Sequence, residues 1–288
     1  MIKKWVLLCS TLLALLACNE DTINNKPHLV VEGWIEDGAF PVVILTTTLP
    51  ISDDYEDFDN IKDHVLKWAK VTIDDGEKEV VLAGLYNDKY EPPYIYTTTD
   101  LRGKVGNSYK LTVDYKDFHA EAETTVPPVA SFDKLQVQTA GNGKYKIVGT
   151  IADPPEERNF YKIFTRVVPE QSYYLSFYPC IFHDGMPEVH NGLAILRGEK
   201  SATPEHEIYF KENECVLVKL TQLCEDGYRF WKDYEESCAF ARNPMFPLKE
   251  NIHSNIKGGL GYWCGYGAKE YKVCINDHYI KQLNKKRK

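Results

Sequence analysis

Tyr109-Lys110-Leu111-Thr112-Val113-Asp114-Tyr115, followed after Lys116-Asp117 by Phe118-His119-Ala120-Glu121-Ala122-Glu123-Thr124-Thr125-Val126, is the stretch that decides the fold. Tyr109, Leu111, Val113 and Tyr115 point one way, while Lys110, Thr112 and Asp114 point the other. After the turn, Phe118, Ala120, Ala122, Thr124 and Val126 oppose His119, Glu121 and Glu123. Side chains alternate between the faces of a strand, so each strand has one dry face and one wet face. Adjacent strands of this kind bury their dry faces against a second sheet, as a sandwich requires.

Working outward, residues 29–35 and 41–48 are further strands around the turn signal Asp37-Gly38, and Asp75-Gly76 marks a hairpin between 71–74 and 77–82. Residues 28–126 are therefore read as one antiparallel β-sandwich domain. Tyr109, just after Gly106-Asn107-Ser108, stands where a tyrosine corner would stand, which gives the expectation an immunoglobulin- or fibronectin-like character. The acidic run 52–60 lacks the midpoint glycine and closing glutamate of a calcium loop and is read as an exposed loop.

Pro127-Pro128 ends the ladder and makes 127–131 a stiff joint. A second β domain, 132–280, follows, with a hairpin at Gly141-Asn142-Gly143 and strands near 160–168, 173–182 and 215–220. It holds one amphipathic helix near 225–241, whose expected dry stripe is Leu223, Phe230, Trp231, Tyr234, Cys238 and Ala241. A closing hairpin is expected between 255–266 and 271–275, and 281–288 is a basic tail. The fold class expected is mostly β: two sandwich-like domains, the second with one helix.

At the other end, Lys3 and Lys4 precede an apolar run over residues 5–16 that is too short for the roughly 20 residues of a membrane span. Leu15-Leu16-Ala17-Cys18 closes it as a lipobox. Residues 1–17 are thus read as a lipoprotein signal, with the Cys18 thiol as the lipid attachment site. Two or more acyl chains hold a protein stably on a membrane. Residues 18–27 form a tether that reaches at most ~30 Å. Glu20 and Asp21 resemble the acidic export signal of surface lipoproteins of Bacteroidota, which implies an outer-membrane, cell-surface location.

The net charge is −8 and the isoelectric point about 5.6, with no basic stripe interleaved with aromatics, so no nucleic-acid partner is expected. Beyond Cys9 and Cys18, the cysteines are Cys180, Cys215, Cys224, Cys238, Cys264 and Cys274. In an exported chain they suggest disulfides. The closing hairpin would set Cys264 opposite Cys274, and this pair is the expected bridge. Cys224 and Cys238 bracket the helix and would lie ~21 Å apart, too far to bond.

No nucleophile elbow, zinc-protease helix or phosphate loop occurs, so no catalytic residue is assigned, and no metal or cofactor is expected. The glycines of 258–267 are read as places where neighbouring backbone approaches closely. His183, Asp184, Glu188, His190 and His206 fall in a polar excursion, 183–207, and match no ligand template. Tyr173, Tyr174, Tyr178, Tyr262, Trp263 and Tyr266 are candidate interface residues, because Tyr and Trp bury much area and keep a polar handle.

Asn243-Pro244-Met245-Phe246, Asn251-Ile252 and Ser254-Asn255-Ile256-Lys257-Gly258-Gly259-Leu260-Gly261-Tyr262-Trp263 with Gly265-Tyr266 resemble the C-terminal signature of a Bacteroidota lipoprotein family, domain of unknown function four-two-four-nine. Val30-Val31-Glu32-Gly33, the 124–128 joint and the 153–161 segment agree with it. The resemblance implies an accessory to a TonB-dependent outer-membrane transporter and supplies no site residues. The function expected is a surface binding module for such a transporter. An exported hydrolase with its site in 183–207, and a structural or adhesive envelope protein, are the alternatives.

Overall fold

The computed structural model describes residues 27–48, 64–154, 158–176, 180–198, 207–240, 251–275 and 279–283. Cys18, Glu20, Asp21, Tyr178, His206 and the acidic run 52–60 lie outside them. The protein is mostly β, as expected.

The alternating stretch forms β7 (Ser108–Tyr115) and β8 (Phe118–Thr125), paired antiparallel around a turn in which Lys116 takes positive φ. β3 (Lys70–Asp74) and β4 (Glu79–Val81) complete a four-stranded sheet in the order β4-β3-β7-β8. Facing it are β1 (Leu29–Glu36), β2 (Val42–Thr47), β5 (Ala83–Tyr86) and β6 (Tyr94–Thr97). Leu29, Val31, Ile35, Val43, Leu45 and Tyr96 from one side meet Val71, Ile73, Leu111, Val113 and Ala122 from the other in one core. The Tyr109 hydroxyl donates to the Arg102 carbonyl oxygen at 3.3 Å.

The second half repeats this layering. β9 (Phe132–Gly141) and β10 (Lys144–Ile151) form the expected hairpin, with Asn142 and both flanking glycines at positive φ. With β13 (Leu193–Ile195) and β14 (Phe210–Lys211) they make a small sheet that packs on β11 (Phe160–Val168), β15 (Cys215–Leu223) and the end of β16 (Leu260–Cys274). The excursion 183–207 is thus not wholly a solvated loop: beyond β12 (Ile181–His183), α1 (Pro187–Asn191) buries Val189, and β13 buries Leu193 and Ile195 in this core.

β16 joins the two halves and corrects the closing hairpin. It runs unbroken for 15 residues, and Lys269, the expected turn, sits in mid-ladder opposite Leu220. Its first part pairs parallel with β1, from Val30↔Leu260 to Glu36↔Tyr266, and its second part pairs antiparallel with β15. The result is one sheet in the order β12-β11-β15-β16-β1-β2-β6-β5, with β17 (Tyr279–Leu283) also on β16. The expected joint, 127–131, carries the chain from β8 to β9, but the sheet is continuous across both halves. The parallel β1-β16 pairing departs from the all-antiparallel arrangement expected.

Gly265 and Gly267 fit the reading of close backbone approach. A Cβ on either would collide with the carbonyl oxygens of Thr125 and Pro128, where the joint crosses β16.

Register also corrects the disulfide. Cys264 and Cys274 lie on the same strand ten residues apart, about 33 Å at 3.3 Å per residue. Cys274 instead faces Cys215 across the β15-β16 ladder and is bonded to it, with Cα atoms 4.1 Å apart.

Candidate functional site on the outer face of the central sheet

α2 (Glu225–Phe240) lies where the helix was expected, on the face of the central sheet turned away from both small sheets. Leu223, Phe230 and Trp231 of the expected stripe pack against the sheet, joined by Gly227, Tyr228 and Glu235, whereas Tyr234 and Cys238 are exposed and Ala241 lies outside the described residues.

The sheet beneath is unusually polar. Register sets Lys162 beside Thr221, and Phe164, Lys219 and Glu270 in the next row. Lys162 has no solvent exposure, and its Nζ donates to Glu235 Oε1 at 2.6 Å. The buried Cys180 thiol donates to the same oxygen at 2.5 Å and lies 3.2 Å from the ammonium. The ammonium also sits 4.1 Å from the Trp231 ring centroid. Burial opposes the Lys162 charge, but Cys180 and Glu235 outweigh it and hold the lysine above its ordinary range. Burial first, and then Glu235, pushes the Cys180 thiol up to about 12. Cys180 is therefore a neutral thiol at physiological pH, a hydrogen-bond donor and a poor nucleophile.

Two further groups extend this layer. Lys219 pairs with the buried Glu36 at 2.8 Å, and its Nζ lies 4.4 Å from the centroid of the Tyr174 ring. The Tyr174 hydroxyl donates to Glu270; burial and that carboxylate hold the phenol far above its ordinary range. On β1, Glu32 accepts from the Tyr262 hydroxyl at 3.0 Å, and burial raises its carboxyl. Trp231 Nε1 donates to the Tyr266 hydroxyl at 3.1 Å. Lys162 and Lys219 are thus each paired with a carboxylate, whereas Glu32 has a hydroxyl partner, Tyr262. Among the described residues, no group of three or more His, Cys, Asp and Glu is placed to hold a metal ion.

Of the expected interface residues, Tyr262 and Tyr266 are buried under α2, and Trp263 has no exposure. Trp263 fills the first core against Gly33, and Nε1 donates to the Tyr109 carbonyl at 2.9 Å. Asn255 brackets its backbone, donating to the Trp263 carbonyl at 2.8 Å and accepting from its N–H at 3.0 Å. This part of the C-terminal signature is therefore core architecture, and these three aromatics do not form a surface. Tyr173 and Tyr174 are half-buried.

Four of the exposed large apolar side chains, Trp68, Val81, Leu85 and Tyr86, lie on or near β3, β4 and β5. The two sheets of the first half both end at strands joined through the buried Leu82, with β4 the edge of one and β5 the edge of the other. All four residues of β5 are exposed, Tyr86 by 72%, and Val81 at the end of β4 is exposed as well. Trp68 is 89% exposed just before β3, beside Lys67, whose Nζ lies 5.7 Å from the Tyr94 ring centroid. Among the described residues β5 pairs with another strand on one side only, and an edge strand presents backbone groups to which a further strand can add. Sequence reasoning passed over it because the alternation here is short and broken by Gly84; the signal was the apolar excess of Val80, Val81, Leu82, Leu85 and Tyr86 beside Trp68.

No curated protein matches this chain. The profile of a family described as a domain of unknown function (DUF4249) matches residues 18–272 and begins at Cys18. A match over that much of the sequence places the chain in this family of uncharacterised function, DUF4249.

Proposed function

We propose that the protein is an outer-membrane surface lipoprotein, anchored through Cys18, that serves as a binding and docking module for a TonB-dependent transporter. The observation that carries the reading is the lipobox. Leu15-Leu16-Ala17 precedes a cysteine behind a basic, apolar leader, and the family match starts on that cysteine. β1 starts at Leu29, so only residues 19–28 separate the lipid from the fold.

A tether of that length keeps a co-anchored partner at high effective concentration, so a small interface suffices. The edges that β4 and β5 present among the described residues, with Val81, Leu85, Tyr86 and Trp68, would supply such an interface. A strand of the partner would add to β5, its main chain giving affinity and the exposed aromatics giving specificity.

Fractionation of the full chain in its native cell tests the anchor. Cys18→Ala should move the protein out of the membrane fraction and abolish incorporation of labelled fatty acid. Membrane retention of this variant at wild-type level, with unchanged detergent extraction, would overturn the reading.

A further inference from the structure

Cys224 is the residue before α2, and its carbonyl accepts the first helical hydrogen bond, from Tyr228 N at 3.0 Å, which makes it the N-cap. Its sulfur shares with that of Cys264 the small space beneath Gly227, in the first turn of the helix. The Thr124 hydroxyl of β8 lies 3.8 Å away. β15 pairs with β16 as far as Leu223↔Tyr266, two strand positions from Cys264, and the chain turns out of the ladder into α2 at Cys224. Gly227 permits the contact, since a Cβ there would stand 2.9 Å from Cys264 Sγ and 3.6 Å from Cys224 Sγ. Cys264 is fully buried, whereas Cys224 is partly exposed.

We propose that Cys224 and Cys264 form a reversible dithiol–disulfide couple that fastens the first turn of α2 to the strand shared by both halves. Cys224 is the attacking sulfur and Cys264 the resolving one. The co-reactant is a small-molecule or protein disulfide. The Cys224 thiolate attacks one sulfur of that disulfide, expelling its other half as a thiolate and forming a mixed disulfide. Cys264 then gives up its proton and attacks the Cys224 sulfur, expelling the second half. The two electrons of the couple pass to the oxidant, which leaves as two thiols.

The environment suits these roles. The Cys264 hydrogen bond, despite burial, brings Cys224 down to about 6, helped by the Gly227 N–H and Thr124. Asp226 opposes this from the same helical turn, but its carboxylate is engaged by His253 Nε2 at 2.9 Å. Glu225, also in that turn, is paired with Arg229 at 2.7 Å. The hydrogen bond to Cys224 and burial hold Cys264 protonated until it resolves. Closure would clamp α2, and with it Glu235, over Lys162.

The test equilibrates the purified full chain with oxidised glutathione and maps peptides without reduction. The expected product joins the Cys224 peptide to the Cys264 peptide and reverts on adding excess reduced glutathione. In Cys264→Ser, Cys224 should instead stop as a stable glutathione adduct. Independently, the alkylation rate of Cys224 in the reduced wild-type protein should rise with a midpoint near pH 6. A wild-type protein that keeps both thiols free, accumulates the glutathione adduct on Cys224, or joins Cys224 to Cys238 would overturn the proposal, as would an alkylation midpoint at the ordinary cysteine value.

Discussion

Lys162 shows how a residue that reads as solvated becomes central to the structure. In Phe160-Tyr161-Lys162-Ile163 its side chain falls on the face of β11 opposite Tyr161 and Ile163, and α2 seals that face with Glu235 on its underside. Neither residue announces the other, since 73 positions separate them and each lies in an ordinary amphipathic pattern. Removing one partner leaves a buried charge unanswered. Lys162→Met should therefore cost about 3–5 kcal/mol in urea unfolding, and Lys162→Met with Glu235→Leu should recover most of it. Glu32 carries a pH signature of its own. Burial raises its folded-state pKa above the 4.5 of an ordinary glutamate, so the ionised form is penalised at neutral pH. The penalty is full above the folded pKa and is relieved as pH falls from there toward 4.5. Glu32→Gln, which still accepts from Tyr262, should raise the urea midpoint at pH 7 and lose that advantage near pH 5. Equal midpoint differences at both values would contradict this.

β16 organises the elements, and its composition explains both what the sequence discloses and what it hides. The glycines of 258–267 point correctly to close backbone contacts, and the alternation of β7 and β8 gives their hairpin residue by residue. The Lys269-Glu270 pair, however, resembles a turn. It is instead part of a strand in which Glu270 stands opposite Lys219 and accepts from the Tyr174 hydroxyl. From that misplaced turn followed the expected Cys264–Cys274 bridge, whereas the ladder sets Cys274 against Cys215. The helix was legible in its bounds and less so in its orientation, because its dry arc includes a glutamate matched to a buried lysine. Gly267→Ala should cost more than about 2 kcal/mol, since backbone rather than a movable side chain blocks the added methyl. Because β16 lies in both halves, loss of tertiary signal on heating should remain a single transition in that variant. Two separated transitions would show that the halves unfold independently.

At the scale of the molecule, two layered halves share one continuous sheet, with the polar layer and α2 on its outer face, and among the described residues β4 and β5 are edge strands of the first half. The mostly-β architecture is readable in the sequence because it depends on local patterns. The sharing of β16 depends on pairing over more than 200 residues, and no local pattern encodes it. The same distance effect misplaced the interface, since Tyr262, Trp263 and Tyr266 read as adaptable surface aromatics until β1 and α2 close over them. The proposed function joins lipid attachment at Cys18 to capture of a transporter strand at β5: a short tether would deliver that edge to partners in the same membrane. Its most direct test is site-specific photocrosslinking in the native membrane, with the photoreactive residue at Tyr86 or, as a control, at the exposed Lys104, followed by mass spectrometry of the adducts. The account predicts a TonB-dependent transporter attached at position 86 and absent from position 104. Recovery of the protein without a transporter adduct at position 86, or equal labelling at both positions, would contradict it.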